Sequence, residues 1–523
     1  MDKPKKLKKR VIKALRFFKV NILDNPFWFI IFLVVISLGL CYRAVMINYS
    51  ITNDEGGYSF IAKKILDGAI PYKDYFDHKP PGVYYAFALA FLLFGKSLFT
   101  ARMLVFAVNV CTAVTIFFVG RALKKPAVGQ LASVLFLFAA LTPVYIGYLA
   151  LTEPFVMLFS TLSILLYIKS DDGAKTKMVL LSGVALGLAT LFKQSAFPLL
   201  VAFYVFFLLG FRLKENRTAA YFKHRVWNGA VIGIGMAIVW APVIAYFAIK
   251  GALGDMIYCV FMFNEEYFAY SHFTDATRTL IWDRFMIYQF VFVIGIIAMA
   301  IAIIRYIAVK KYDYPLLLFL FFVCLLPQLA YFHFIQYFLT FLPVLCLLAA
   351  GTTMEIWMFM KYRPENEPTP VKSALKKEPL QTAKVLLVFL VAMMVYTSAI
   401  NIQNSYPPTR GQGVSALEIY ISNHTSPGEK IFIFGTPYYY FVLDRDPPSR
   451  HFYIYAWTAS EDVQREMIEG LEKYHVKYVI VMKSMLYSNG NPKLAYTLWN
   501  YIASNYQYEQ TIGSVDIYIR SAV

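Results

Sequence analysis

The chain has 523 residues, of which 59% are hydrophobic and only 16% charged, whereas soluble domains average about 25% charged. This composition excludes an ordinary soluble protein and indicates a chain that has the bilayer as its solvent. The net charge of +18 does not indicate nucleic-acid binding, because the basic residues lie in short connections between apolar runs, as the positive-inside rule predicts. The five cysteines lie mostly inside apolar runs and indicate no disulfide framework.

The N-terminal segment, residues 1–25, is strongly basic and precedes an apolar stretch without a small-residue cleavage site behind it. We therefore expect a cytoplasmic tail followed by an uncleaved first span. That span delivers a long polar loop, residues 48–81, to the outside. The next basic run, from Arg121 to Lys125, indicates a return to the cytoplasmic side.

Apolar runs of spanning length then alternate with basic connections, and they predict about eleven crossings. The predicted spans are residues 26–46, 97–119, 128–148, 153–169, 177–193, 195–211, 226–249, 285–305, 314–331, 334–351 and 384–401. The apolar stretch Gly82–Gly95 is too short to cross, and we expect it to lie at the membrane interface. The threading places four basic connections on the cytoplasmic side, namely residues 169–177, 212–225, 305–311 and 361–377.

The last part of the chain is mixed in polarity and predicts a small extracytoplasmic α/β domain over residues 406–523. Short β-rich runs at 430–434, 452–455, 477–482 and 515–520 alternate with helical patterns at 460–474 and 495–506. No glycine-rich phosphate loop or His/Cys metal spacing occurs there, so an accessory role is expected. Residues 26–405 then form the membrane domain.

The first outer loop carries the strongest functional signal. Asp54 and Glu55 are adjacent carboxylates just beyond a membrane helix, where charge is costly unless it is used; a helix cap with a solvated acid explains them equally well. His78 and Lys79 precede two prolines that fix the backbone. A fixed ammonium at the bilayer surface suits a lipid phosphate, although Lys79 also fits a lysine that snorkels to the interface.

Further polar groups fall at the outer ends of other predicted helices or in the outer loop 250–284. They are Glu153, Lys193, Glu265, Glu266, His272, Arg278, Arg284, His333, Gln336 and Tyr337. Caps, snorkelling and interfacial aromatics are the alternative explanations, but an arginine such as Arg278 binds phosphate with two hydrogen bonds. Carboxylates and cations from separate helices thus predict a site for an anionic headgroup and a hydroxyl that loses its proton.

The motifs in and after this loop resemble one enzyme family. They are Asp54-Glu55-Gly56-Gly57-Tyr58, Pro71-Tyr72-Lys73-Asp74, His78-Lys79-Pro80-Pro81-Gly82, Phe94-Gly95-Lys96-Ser97, Ala101-Arg102, Thr152-Glu153-Pro154-Phe155, Phe192-Lys193-Gln194 and the stretch from Gln336-Tyr337 to Leu342-Pro343. The pattern is similar to that of the polyprenyl-phosphate-dependent glycosyltransferases of the protein mannosyltransferase and aminoarabinose transferase superfamily, which have a GT-C fold. Glu153 stands where some members carry an aspartate.

The resemblance implies an inverting transfer from a polyprenyl-phosphate-linked sugar to a hydroxyl of a lipid, a polysaccharide or a protein. It implies catalytic roles for Asp54, as the base, and for Glu55. Lys79, Lys193, Arg278 and Tyr337 are then expected to bind the donor phosphate. Glu153, His78, His333 and Gln336 are expected to orient the acceptor or a metal.

No cofactor is required by this chemistry, because polyprenyl phosphate leaves as a stable anion. A divalent Mg²⁺ or Mn²⁺ ion between Asp54, Glu55 and Glu153 is the alternative, since hard cations bind carboxylate oxygens. A transporter or flippase of a lipid-linked or anionic substrate is the competing function class. It predicts repeat symmetry and helix breaks near the midplane, whereas the charges here lie at one predicted face.

Overall fold

The computed structural model describes residues 26–46, 51–141, 147, 149–212, 217–269, part of 295–307, 313–327, 335–361, and 412–521 apart from 488, 489 and 491. Within these ranges the first part of the chain is helical. The helices are α1 (Pro26–Met46), α2 (Asn53–Leu66), α3 (Gly82–Phe94), α4 (Leu98–Ala122), α5 (Pro126–Leu141), α6 (Glu153–Lys169), α7 (Thr176–Phe192), α8 (Pro198–Phe211), α9 (Ala219–Ile249), α10 (Leu253–Ile257), α11 (Phe263–Ala269), α12 (Tyr314–Leu325) and α13 (Leu342–Lys361).

Most helices predicted from the sequence as spans are present with ends that differ by a few residues. The predicted span at 384–401 and most of the one at 285–305 lie outside the described residues. Among the residues that the structure describes, four helices are long and apolar enough to cross a bilayer, and they are Leu98–Ala122, Gln194–Phe211, Ala219–Ile249 and Gln336–Met354. The chain is therefore an integral membrane protein.

Glycines let α7 and the middle of α9 approach closely. A Cβ atom on Gly183 of α7 would lie 2.3 Å from the carbonyl oxygen of Ile232, and one on Gly235 of α9 would lie 2.4 Å from that of Leu180. Small residues allow this backbone contact between membrane helices. The Trp240 Nε1 atom of α9 also donates to Thr190 Oγ1 of α7 at 2.8 Å. This contact fixes the end of α7 where Lys193 follows.

Residues 412–521 form an α/β unit. Its elements are α14 (Gln412–His424), β1 (Phe432–Phe434), α15 (Tyr438–Leu443), α16 (Glu461–Lys473), β2 (Tyr478–Met482), α17 (Tyr496–Asn505), β3 (Tyr506–Ile512) and β4 (Val515–Arg520). The strand order is β1-β2-β4-β3, with β1 parallel to β2 and the other pairs antiparallel. We call residues 412–521 the C-terminal unit.

The predicted strand at residues 452–455 is wrong. Phe452, Tyr453 and Ile454 are all buried, like the residues of strand β1, but they lie outside the sheet β1-β2-β4-β3. The Ile454 N–H donates a backbone hydrogen bond to the Gly435 carbonyl at 2.9 Å. A short 3₁₀ turn at Ala456–Thr458 follows. The rings of this segment pack instead toward the first outer loop, where Phe452 lies 5.2 Å from Phe60 between ring centroids.

Helix α2 is held between the membrane helices and the C-terminal unit. It begins with a capping box in which Thr52 and Glu55 bond to each other's backbone N–H groups. At Gly56 the helix meets α15 so closely that an added Cβ would lie 2.2 Å from Tyr438 Cβ and 2.4 Å from Tyr438 Cα. Lys63 forms an ion pair with Asp444, and Lys64 pairs with Asp446 at 2.5 Å.

Candidate active site

A cavity of about 260 Å³ lies where the start of α2, the loop before α3, the start of α6 and the C-terminal unit meet. Six of the predicted site residues line it, together with Asn53 and Asp77, which were not predicted. The six are Asp54, His78, Lys79, Glu153, Gln336 and Tyr337. Side chains that are more than 280 residues apart in sequence are therefore gathered in one place, as the sequence pattern predicts.

Asp54 lies in the first turn of α2 and lines the cavity. Burial raises the pKa of its carboxyl group to about 6, and the nearby Glu153 and Asp77 carboxylates act in the same direction, while Lys79 opposes them. A carboxylate with a pKa near 6 is ionised at neutral pH and still basic enough to accept a proton from a hydroxyl during its attack. Asp54 thus has the properties of a general base.

Glu55 points away from this cavity, although it is the next residue. Its side chain is fully buried, and Arg102 of α4 binds it with two hydrogen bonds of 2.8 Å, from Nε to Oε1 and from Nη2 to Oε2. The Ala150 N–H donates to the same carboxylate at 2.8 Å. These contacts use the carboxylate to fix α2 against α4, which is a structural position and not one that reaches a substrate in the cavity.

The loop before α3 presents Lys79 to the cavity. The Asp77 Oδ1 atom accepts hydrogen bonds from the N–H groups of His78 at 2.6 Å and Lys79 at 3.2 Å, and the Tyr72 hydroxyl donates to the Lys79 carbonyl at 2.7 Å. The Lys79 Nζ atom contacts His78 Nε2 at 2.5 Å and lies 5.8 Å from the centre of the Tyr267 ring. The ammonium group is therefore held by a rigid backbone.

His78 is neutral in this setting, because burial and the Lys79 charge lower its pKa well below the usual range. A neutral imidazole accepts a hydrogen bond at Nε2 when its Nδ1 atom carries the hydrogen. It can thus hold Lys79 without neutralising it. The Gln194 side chain contacts the His78 carbonyl at 2.5 Å and donates to the Val260 carbonyl at 2.9 Å, and this fixes the loop against the end of α7.

Glu153 and Lys193 form a buried ion pair at the same end of the bundle. The Lys193 Nζ atom lies 2.6 Å from Glu153 Oε1 and 3.6 Å from the centre of the Tyr337 ring. Tyr337 in turn shares a hydrogen bond with Tyr267. The structure therefore brings Glu153, Lys193 and Tyr337 together, with Gln336 also lining the cavity.

Some predicted residues are not placed. Arg278 and His333 lie outside the described residues, as do His272 and Arg284. Glu265 is exposed on α11 and is not among the residues that line the cavity.

Several residues of this cavity were missed by the sequence analysis. Asp77 directly precedes His78 and Lys79, which were predicted. It could have been predicted as well, because a buried loop carboxylate binds backbone N–H groups. Burial raises its pKa as well. Tyr453, Tyr455 and Trp457 line the cavity from the C-terminal unit, and no local pattern in the sequence relates them to Asp54.

The carboxylates considered for a divalent metal do not fit one in this arrangement. Glu55 is bound to Arg102 and Glu153 to Lys193, so both are already matched by a cation. Over the described part of the chain, no group of three or more His, Cys, Asp or Glu side chains is placed to hold a metal ion.

Comparisons with known proteins agree with the resemblance seen in the sequence. The profile of the family described as dolichyl-phosphate-mannose-protein mannosyltransferase matches residues 78–246. No curated protein matches the sequence.

Solved structures match over nearly the whole chain. The crystal structure of ArnT from Cupriavidus metallidurans bound to undecaprenyl phosphate is 13% identical, covers 95% of this chain and 98% of its own, and has a TM-score of 0.60. The apo oligosaccharyltransferase of Archaeoglobus fulgidus is 12% identical, covers 95% of this chain and 75% of its own, and has a TM-score of 0.54. The predicted GT-C fold and the predicted resemblance to glycosyltransferases of this class are confirmed.

Proposed function

We propose that this GT-C membrane protein is an inverting glycosyltransferase that moves a hexosyl or pentosyl group from a polyprenyl-phosphate donor to an acceptor hydroxyl. The observation that carries the proposal is the placement of Asp54 and Lys79 on one cavity, a base with a pKa of about 6 beside a fixed ammonium. The fold is shared with an enzyme crystallised with undecaprenyl phosphate, and this supports a polyprenyl carrier.

In the reaction, the acceptor oxygen attacks the anomeric carbon from the face opposite the phosphate. Its proton passes to the Asp54 carboxylate as the new carbon–oxygen bond forms, and the bond from the anomeric carbon to the phosphate oxygen breaks with its electron pair. Polyprenyl phosphate leaves as an anion, and the anomeric configuration inverts. A phosphate leaving group needs cations rather than a proton donor.

Lys79 is the cation best suited to this phosphate. Its direct contacts are a neutral imidazole and an aromatic ring. The Asp54 and Asp77 carboxylates interact with its charge without a salt bridge among the described residues, whereas Lys193 is directly paired with Glu153. Lys193, Arg278 and Tyr337 then act in support, and Glu153 holds Lys193 in place. His78 orients Lys79, while Gln336 and His333 are proposed to contact the acceptor. Glu55 is reassigned from chemistry to positioning α2.

The proposed topology follows the positive-inside rule. A cytoplasmic tail of residues 1–25 precedes a catalytic membrane domain of residues 26–405 with about eleven crossings. The cavity then faces the extracytoplasmic side together with the accessory domain of residues 406–523. The acceptor is a lipid, a polysaccharide or a protein at that face.

The test is transfer of radiolabelled sugar from a panel of polyprenyl-phosphate sugars to a membrane extract by the full chain in lipid. Asp54→Asn should abolish transfer but retain folding and donor binding. Asp462→Asn is the matched control, because Asp462 also lies in the first turn of a helix but is exposed on α16. Full transfer by Asp54→Asn would refute the base assignment, and a wild-type chain inactive with every donor would refute the proposed function.

A further inference from the structure

The cavity has two chemically different walls. Carboxylates and Lys79 line the side formed by α2, the loop before α3 and α6, whereas the C-terminal unit supplies Tyr453, Tyr455 and Trp457. The mechanism proposed above uses the charged wall. It assigns no task to the aromatic wall, although these rings face the same space as the base.

Tyr455 and Trp457 form a stacked pair with ring centroids 4.9 Å apart and an interplanar angle of 24°. Tyr267 meets Trp457 edge-on, with centroids 5.1 Å apart at 85°. The backbone under the pair is fixed, because Tyr455 N donates to Thr458 Oγ1 at 2.9 Å across a tight 3₁₀ turn. The pair is therefore a preformed aromatic surface.

This surface is tied to the residue next to the base. The Tyr455 hydroxyl shares a hydrogen bond with the Asn53 side chain, and the Asp54 and Asp77 charges together with burial raise the pKa of Tyr455. A ligand lying on the pair is therefore within reach of Asp54. Carbohydrates are suited to such a surface, because the C–H groups of a sugar ring pack on an aromatic face while its hydroxyls need polar partners at the edge.

A polar partner is present at the edge of Trp457. Its indole Nε1 is enclosed and has no hydrogen-bond partner among the described residues. Leaving a buried donor unpaired is unfavourable, so a ligand hydroxyl in the cavity that accepts a hydrogen bond from this N–H would stabilise the bound state. A prenyl chain offers no acceptor for it. The indole N–H thus favours a sugar over the lipid tail as the occupant of this wall.

We infer that Tyr455 and Trp457 of the C-terminal unit form the sugar-binding surface of the cavity, which takes the ring of either the donor sugar or a glycosidic acceptor. This inference rests on the proposed function and deepens it. It also changes the task of the C-terminal unit, which then acts in substrate recognition.

The test uses the purified full chain in lipid nanodiscs and compares affinities for undecaprenyl phosphate and for undecaprenyl-phosphate mannose, glucose and arabinose derivatives. Trp457→Phe keeps the ring stack and removes the N–H, so it should weaken binding of the preferred sugar-bearing lipid by about three- to tenfold. Trp457→Ala removes the surface and should weaken it further. Neither change should alter the affinity for bare undecaprenyl phosphate.

A second arm distinguishes an acceptor sugar from a donor sugar. Methyl glycosides of the same sugars are titrated into chain saturated with bare undecaprenyl phosphate, and loss of glycoside binding in Trp457→Phe assigns the surface to the acceptor. Trp227→Phe is the control, because Trp227 is 53% exposed on α9 and does not line the cavity. Unchanged binding by Trp457→Phe and Trp457→Ala in both arms would overturn the inference, whereas a wild-type chain that binds glycosides but no polyprenyl lipid would overturn the proposed donor instead.

Discussion

The guanidinium group of Arg102 binds both carboxylate oxygens of Glu55 at 2.8 Å, in a place that solvent does not reach. This ion pair joins the helix that begins the first outer loop to the membrane helix α4. Asp54, one residue earlier, faces the cavity instead. Asp54 and Glu55 are adjacent, but the turn of helix α2 directs one to the cavity and the other to a structural ion pair.

Glu55→Gln is expected to act on stability. Breaking a buried ion pair such as that of Glu55 with Arg102 by removing one partner costs about 3–5 kcal/mol. We expect a lower melting temperature for the detergent-purified protein. Asp67→Asn is the control, since Asp67 pairs with Lys96 at 3.0 Å with both side chains partly exposed, where an ion pair contributes about 1 kcal/mol or less. Equal melting of the two variants would contradict the assigned role.

The rate of transfer should depend on pH through Asp54. Burial raises the pKa of this carboxyl to about 6, and the ionised form is the one that accepts the proton. We therefore expect kcat/KM to fall as pH decreases through this value, and to be about tenfold lower at pH 5 than at pH 7. A profile that stays flat down to pH 4.5 would show that another group, or none, is the base.

Lys79→Met should weaken donor binding, because it removes the cavity-lining ammonium that we propose binds the phosphate. The loss of a charge-assisted hydrogen bond predicts an affinity for undecaprenyl phosphate lower by about tenfold or more. Lys79→Arg should restore part of it. The matched control is Lys96→Met, which removes a lysine that lies 3.0 Å from Asp67 outside the cavity. If Lys79→Met binds undecaprenyl phosphate with wild-type affinity, Lys79 does not contribute to the phosphate site.

Gly56→Ala should disturb the contact between α2 and the C-terminal unit. The added Cβ would lie 2.4 Å from the Tyr438 Cα atom, and backbone cannot yield as the end of a side chain does. Overpacking of this kind costs about 1–3 kcal/mol and shifts the first turn that carries Asp54, so both melting temperature and transfer should decrease. Gly254→Ala is the control, because a Cβ at Gly254 of α10 meets no atom within 4 Å.

The membrane helices were predictable because their signal is local. An apolar run of spanning length between basic connections predicts a helix, and α6, α7 and α8 follow the predicted bounds closely. The strand predicted at 452–455 failed for the opposite reason, since its apolar residues are buried in contacts with a distant loop rather than in a sheet. Strand β3 was missed because its exposed polar residues hide the alternation of a strand.

The site was predictable as a set of residues but not in its division of roles. Asp54 and Glu55 are adjacent and were both expected to act in the chemistry, whereas the capping box that Glu55 forms with Thr52 and its ion pair with Arg102 give Glu55 a structural position. The contribution of Tyr455 and Trp457 could not be read from the sequence. Their neighbours Asn53 and Tyr267 are brought to them by the fold across long separations.

The ion pair between Lys63 and Asp444 joins residues 381 positions apart, and with Gly56 against Tyr438 it closes the cavity with the last part of the chain. During synthesis, α2 therefore emerges long before the surface that covers it. Until the ribosome has made the C-terminal unit, the cavity at Asp54 lacks its aromatic wall. The cavity is thus completed late in biogenesis. A chain that stalls before α15 is made enters the membrane with an incomplete cavity.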